Sequence, residues 1–146
     1  MYHWHNGILT SDIEKTIECL CAIPGVTREQ WTLMEIDFPP EKIITGTGGR
    51  LKAAFARIAG VVYELLEPLD DTSYHAITLR ERGSGMHHSA YVCEDDLDEV
   101  ITAQLAAGGR VVWEFRNGDE HAIYIETKDG GMVFELINRC PFMPEE

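Results

Sequence analysis

His88-Ser89-Ala90-Tyr91, then Asp96-Leu97-Asp98-Glu99-Val100-Ile101, then Glu135-Leu136-Ile137 decides the fold, because the chain has already run through the same order once. The earlier copy starts at His5-Asn6-Gly7-Ile8, passes into Ser11-Asp12-Ile13-Glu14-Lys15-Thr16-Ile17 and closes on Glu64-Leu65-Leu66. Each copy sets a histidine on an early strand and a glutamate on a late one. A duplication on this scale fixes the architecture before any single element is assigned. It also assembles a donor set. Two neutral imidazoles and two carboxylates balance one divalent cation, and nitrogen with carboxylate oxygen suits first-row ions such as Ni, Co, Mn, Fe or Zn.

The copies are not in strict register. The histidines are offset by 83 residues (5 and 88), the helices by 84 (Ile13 and Leu97) and the glutamates by 71 (64 and 135). One more loop residue after His88, and shorter strands or turns later, absorb these differences.

Working outward, Tyr2 to Thr10 reads as a strand with His3, His5, Gly7 and Leu9 on one face. Ser11 with Glu14 makes a capping box for a helix carrying Ile13, Ile17, Leu20 and Cys21, which Pro24-Gly25 stops. Trp31 to Phe38 is a second strand, ended by Pro39-Pro40. The loop with Gly46, Gly48 and Gly49 lacks the lysine and spacing of a phosphate-binding loop and reads as a plain turn. Leu51 to Ile58 and Val61 to Leu66 form a hairpin around Ala59-Gly60. Pro68 to Gly85 is polar and reads as a connection.

In the second half Met86 to Cys93 is a strand, Asp95 or Asp96 caps a helix with Leu97, Val100, Ile101 and Leu105, and Gly108-Gly109 ends it. Strands at Arg110 to Phe115, His121 to Thr127 and Met132 to Ile137 follow. Each half therefore reads strand–helix–strand–strand–strand. The division is a first module over 1–70, a linker over 71–84 and a second module over 85–146, together one two-module domain.

A net charge of −13, from 25 acidic against 12 basic residues, repels nucleic acid, since the basic residues are scattered. The excess chiefly serves solubility. An anionic substrate would need a local basic patch, which Arg50, Lys52 and Arg57, or Arg80 and Arg82, are placed to supply. No apolar run reaches membrane-spanning length and no signal-peptide pattern opens the chain, so the expectation is a cytoplasmic protein. Cys19, Cys21, Cys93 and Cys140 have no zinc-type spacing and read as reduced thiols. His3, His75 and His121 read as structural or surface residues. For Glu64 and Glu135, flanked by apolar neighbours, the alternative to a site role is a solvent-facing position opposite a core face.

The duplicated unit resembles the vicinal-oxygen-chelate superfamily, which includes glyoxalase I, methylmalonyl-CoA epimerase, extradiol dioxygenases and bleomycin-resistance proteins. The likeness is strongest to the epimerase and its glyoxalase-like relatives. It rests on His5-Asn6-Gly7-Ile8, Glu64-Leu65-Leu66-Glu67-Pro68-Leu69, Gly83-Ser84-Gly85-Met86-His87-His88-Ser89-Ala90-Tyr91 and Lys128-Asp129-Gly130-Gly131-Met132-Val133-Phe134-Glu135-Leu136. The stretch Thr27 to Arg50 matches poorly.

The resemblance implies an α+β fold, with two tandem βαβββ modules forming a curved mixed sheet around a metal cleft. Carried over residue by residue, it implies His5, Glu64, His88 and Glu135 as ligands of a divalent metal, with His87 on the opposite side of its strand from His88. It implies a metal-dependent isomerase, epimerase or lyase that removes a proton α to the carbonyl of a thioester or thiol-adduct substrate, such as a CoA thioester or glutathione adduct. It implies Glu135 as the base, with Glu64 serving the other face. Lactoylglutathione lyase activity is the nearest alternative, and a non-catalytic ligand-binding or resistance protein is another. Glu64, as a fourth ligand, works against dioxygen chemistry. Two departures bear on epimerisation: Arg50-Leu51-Lys52-Ala53-Ala54 offers no third-strand carboxylate, and Glu126-Thr127 replaces a common His-Pro. The modules can pair within one chain or across a homodimer, and the sequence does not choose.

Overall fold

A computed structural model describes residues 1–144. Alternating and helical stretches become β1 (Tyr2–Leu9), α1 (Ile13–Leu20), β2 (Thr32–Phe38), β3 (Ile43–Thr45), β4 (Gly49–Ile58), β5 (Val61–Pro68), α2 (Tyr74–Arg82), β6 (Gly85–Val92), α3 (Leu97–Ala106), β7 (Arg110–Asn117), β8 (Glu120–Glu126) and β9 (Val133–Ile137). The nine strands form one mixed sheet in the order β2-β4-β5-β1-β6-β9-β8-β7-β3. β1 runs parallel to β5, β6 runs parallel to β9, and β1 meets β6 antiparallel, so the modules join within one chain.

The duplication is visible strand by strand. Gly7 pairs with Glu64 in the first module, and Ala90 with Glu135 in the second. The order of buried and exposed positions along β1 and β6 is the same. The single extra residue expected after His88 lies between β6 and α3.

Sheet closure comes from a strand that local patterning did not reveal. β3 follows β2 in sequence yet pairs with β7 of the other module, so the two edges of the sheet are separated by only residues 39–42. Five residues of chain reach no further than roughly 18 Å. The sheet must therefore curl into a half-barrel whose edges approach each other.

Both faces of the sheet are covered. On the convex face α1 buries Ile13 and Ile17 against Trp31, Ala54, Ala56 and Leu65. α3 buries Leu97 against Ile123, Ile125 and Leu136. Each fully buried isoleucine contributes about 1.5–3 kcal/mol. Leu51, Ala53, Phe55, Trp113, Phe115 and Tyr124 fill the concave side.

Two local details differ from the sequence reading. The cap of α1 is Asp12, whose carboxylate accepts from the Lys15 backbone N–H at 3.0 Å; Ser11 lies one residue too early. The polar connection 68–85 contains α2, with Ser73 as N-cap and Gly83 at its end. Its buried residues are His75, Ala76 and Thr78, so hydrophobic periodicity had little to report. Ser73, the late Arg80 and Arg82, and Gly83 were the available signals. Among the described residues no helix is long and apolar enough to cross a membrane.

Candidate metal centre

Strand alternation places each glutamate. In β5, Val62 and Leu66 face the concave core while Leu65 faces the α1 side. Glu64 shares the concave set, and Glu135 does the same between Val133 and Ile137. With both sheet faces covered, neither carboxylate has a solvent face to occupy. Glu64 is 6% exposed and Glu135 8%.

The histidines are placed by a matched pair of β-bulges. In β1, Trp4 and His5 together oppose Ala90; in β6, His87 and His88 together oppose Gly7. A bulge interrupts alternation and re-aims side chains. His3 therefore packs outward against Tyr91, with ring centroids 5.4 Å apart, while Trp4 and His5 both turn inward. This corrects the expectation that His3 and His5 share a face. It likewise corrects His87, which turns to the same side as His88 and not the opposite one. Gly7 makes the room: a Cβ there would lie 2.1–2.5 Å from three atoms of the His88 ring.

The four side chains meet. His5 Nε2 lies 2.9 Å from Glu64 Oε2, 3.3 Å from Glu135 Oε2 and 3.0 Å from His88 Nε2. His88 Nε2 lies 3.5 Å from Glu64 Oε2 and 3.2 Å from Glu135 Oε2. Ligands held about 2.0–2.2 Å from a first-row ion stand roughly 3.0–3.5 Å from their neighbours. One donor atom from each of the four falls within 4.8 Å of all the others. The buried Glu135 Oε2 makes no well-aligned hydrogen bond among the described residues and has only the two imidazole nitrogens of the quartet beside it, an arrangement suited to a shared ion. The donor set and its spacing fit a divalent ion.

The electrostatics follow from that crowding. Burial alone would lower the pKa of His5, but Glu64 and Glu135 outweigh it and raise it to about 9. His88 is raised too, its burial outweighed by Glu135 and Glu64. Burial works to raise both glutamates, and the two imidazoles overcome it and hold them low. Without an ion, the quartet stores a proton in its place.

A second layer orients His88. Its Nδ1 lies 2.8 Å from His87 Nδ1, and His87 Nε2 lies 3.0 Å from the Tyr74 hydroxyl. With Nε2 of His88 turned toward the other three side chains, its proton sits on Nδ1 and is donated to His87, which donates in turn from Nε2 to Tyr74. Burial and the neighbouring His88 and His75 depress His87 to about 2, so it stays neutral in this chain. His75, read from sequence as a structural or surface residue within the polar connection, is a fully buried residue of α2, bonded to the Tyr124 hydroxyl at 3.1 Å. Its pKa is lowered to about 4 by burial, then by His88. His121 is structural, 2.9 Å from Glu114. Sequence reasoning missed His87, Tyr74 and Tyr124; the His87-His88 doublet was the one visible signal.

The quartet opens into a cavity of about 400 Å³ lined by both glutamates and by Trp4, Ile36, Phe38, Phe55 and Phe115. Pro141 and Phe142 close one side, and Phe142 accepts the Trp4 indole N–H through its carbonyl at 2.8 Å. Four of the five basic residues named as an anion patch are committed elsewhere, and the fifth, Arg57, does not line the cavity. Arg50 pairs with Glu35, Lys52 with Glu14, Arg82 with Glu126, and Arg80 donates to the Asp71 carbonyl.

The comparisons with known proteins agree with this architecture. A hypothetical protein from Bacillus halodurans C-125 superposes with a TM-score of 0.65 at 19% identity, covering 99% of this chain and 98% of its own. Methylmalonyl-CoA epimerase from Mycobacterium tuberculosis gives 0.63 at 25% identity over 95% of this chain and 88% of that one. The Streptomyces coelicolor methylmalonyl-CoA epimerase in complex with 2-nitronate-propionyl-CoA gives 0.64 at 21% identity, covering 99% of each chain. No curated protein matches the chain by sequence. The family profile described as Glyoxalase/Bleomycin resistance protein/Dioxygenase superfamily matches residues 4–125. The duplicated half-barrel and this match together mean that the chain belongs to the glyoxalase/bleomycin resistance protein/dioxygenase superfamily.

Proposed function

We propose that His5, Glu64, His88 and Glu135 hold one divalent metal ion (Ni, Co, Mn, Fe or Zn) and that the protein is a glyoxalase-like isomerase, epimerase or lyase. The observation that carries this reading is the meeting of four buried donors, five of their separations lying between 2.9 and 3.5 Å, at the floor of an apolar cavity. When bound, such an ion supplies Lewis-acid polarisation of a substrate carbonyl and of the enolate oxygen. Glu135 takes the proton from the α-carbon, its carboxylate lining the cavity and making no well-aligned hydrogen bond through Oε2 among the described residues. Glu64 comes from the matching strand of the other module and serves the opposite face. The aromatic walls exclude water, which strengthens each charge interaction inside.

The substrate is a thioester or thiol adduct, of coenzyme A or glutathione. The likeness to epimerases, one of them bound to a CoA thioester analogue, supports the first. A specific observation favours the second, lactoylglutathione-type reading. The concave side of β4 carries Leu51, Ala53 and Phe55 and no acid, so this strand offers no second base.

The test is exchange of α-protons for deuterium in metal-loaded protein, on thioester and thiol-adduct substrates. Glu135→Gln is expected to lower exchange by about 10²–10⁴-fold, and His5→Ala to abolish metal uptake. Protein that takes up none of these ions overturns the proposal. Metal uptake without exchange on either substrate class marks a ligand-binding protein instead.

A further inference from the structure

We propose that the acyl group turned over in this cleft is uncharged and apolar, aromatic or branched, and does not carry a free carboxylate. This rests on the function proposed above and narrows its substrate class. Among the described residues, none of the 12 lysines and arginines lines the cavity. The charged groups that do line it are Glu64, Glu135 and Glu120, and Glu120 is already paired with Arg139 at 3.2 Å. Around them stand Trp4, Ile36, Phe38, Phe55, Phe115 and Phe142.

A carboxylate entering this space would lose its water, find no cation and face two glutamates of its own sign. The metal would compensate it only in part, because two ligand carboxylates would already offset the charge of one divalent ion. An aromatic or branched group gains from the same walls, through apolar burial and edge-to-face contact with the rings. Trp4 is part of this design. It occupies in the first module the bulge position that His87 holds in the second, so one half of the duplication gives the cleft a hydrophobic wall while the other gives a ligand its partner.

The experiment compares three hydroxamic acids, each presenting two adjacent oxygens to the ion and differing in the group beyond: phenylacetohydroxamic acid, acetohydroxamic acid and the monohydroxamate of malonic acid. Binding to cobalt-loaded protein is followed in the visible spectrum. The phenylacetyl compound is expected to bind at least tenfold more tightly than the acetyl one, and the malonyl compound at least tenfold more weakly. Ile36→Lys, on the edge-strand wall, is expected to bring the malonyl compound to or above the acetyl one; if that variant does not fold, the wild-type ranking alone decides. Malonyl binding equal to or tighter than phenylacetyl binding overturns the inference and leaves the metal reading intact. A second arm uses metal-free protein and saturation-transfer NMR, with S-ethyl phenylthioacetate against the S-ethyl monothioester of malonic acid. Only the first is expected to bind. That preference stands even if cobalt is never taken up, in which case the metal reading alone fails, whereas equal binding overturns the inference.

Discussion

Replacing Gly7 by alanine tests the centre without touching any ligand. The added Cβ would sit 2.1 Å from Cε1, 2.4 Å from Nε2 and 2.5 Å from Nδ1 of His88, where ordinary contact begins at 3.4 Å. The backbone at Gly7 is not left-handed, so the alanine meets no strain of its own and the whole conflict falls on the ring. Relief requires the imidazole to retreat by about 1 Å, and a nitrogen that far beyond a bond of about 2.0–2.1 Å no longer ligates. Disturbing an outer partner of a ligand already costs about 10–100-fold in metal affinity. Gly7→Ala is therefore expected to lose on the order of 100-fold or more, read by titration calorimetry with nickel or cobalt. The metal-free variant is expected to be about 1–3 kcal/mol less stable, as overpacking generally is. The matching residue in the other module is already Ala90, opposite Trp4 and His5, so the requirement for glycine is confined to the His88 side. A Gly7→Ala protein that folds and keeps wild-type affinity would refute the argument, since His88 would then not owe its place to Gly7 or would not be a ligand.

Four further outcomes are expected. His87→Phe, which removes the partner of His88 Nδ1, should weaken metal binding by about 10–100-fold while His87→Gln retains most of it; calorimetry on both variants decides. With His5 raised from its ordinary 6.5 to about 9, metal binding at pH 7 should release about one proton from it, measurable in buffers of different ionisation enthalpy. For the metal-free protein, the contribution of a raised imidazole is fully present below 6.5 and disappears as pH climbs through 9, so Tm should fall over that interval; a flat profile contradicts it. Ala59 holds φ +50 in the β4–β5 turn next to Gly60, a conformation that asparagine tolerates better, and Ala59→Asn should add about 0.5–1 kcal/mol in urea unfolding.

Reading the site from sequence anticipated which side chains would meet where residue type recurred in a repeated order. His5, Glu64, His88 and Glu135 recur in two copies, and the fold brings all four together. It failed where the answer depended on strand pairing. Alternation along Tyr2 to Leu9 put His3 with His5, and alternation along β6 put His87 away from His88, because a bulge is a property of two strands in register and leaves no mark in either one alone. β3 escaped notice for the same reason: three residues hold their place by pairing with β7, not by a pattern of their own. α2 was obscured because it buries His75 and Thr78, where an apolar stripe would have announced it.

The sequence by itself determined the duplication, the α+β architecture and which four side chains would meet in the cleft, since order and residue type are local properties that survive without coordinates. The tertiary structure decided which way each donor points, which groups stand behind it and what lines the space in front. The bulges turn Trp4 and His87 inward, Gly7 yields its side-chain volume to a ring 81 residues away (7 and 88), and Arg50, Lys52 and Arg82, which looked available to an anion, are bound to acids outside the cleft. Those outcomes depend on contacts between distant segments, where register and volume, not composition, set the geometry.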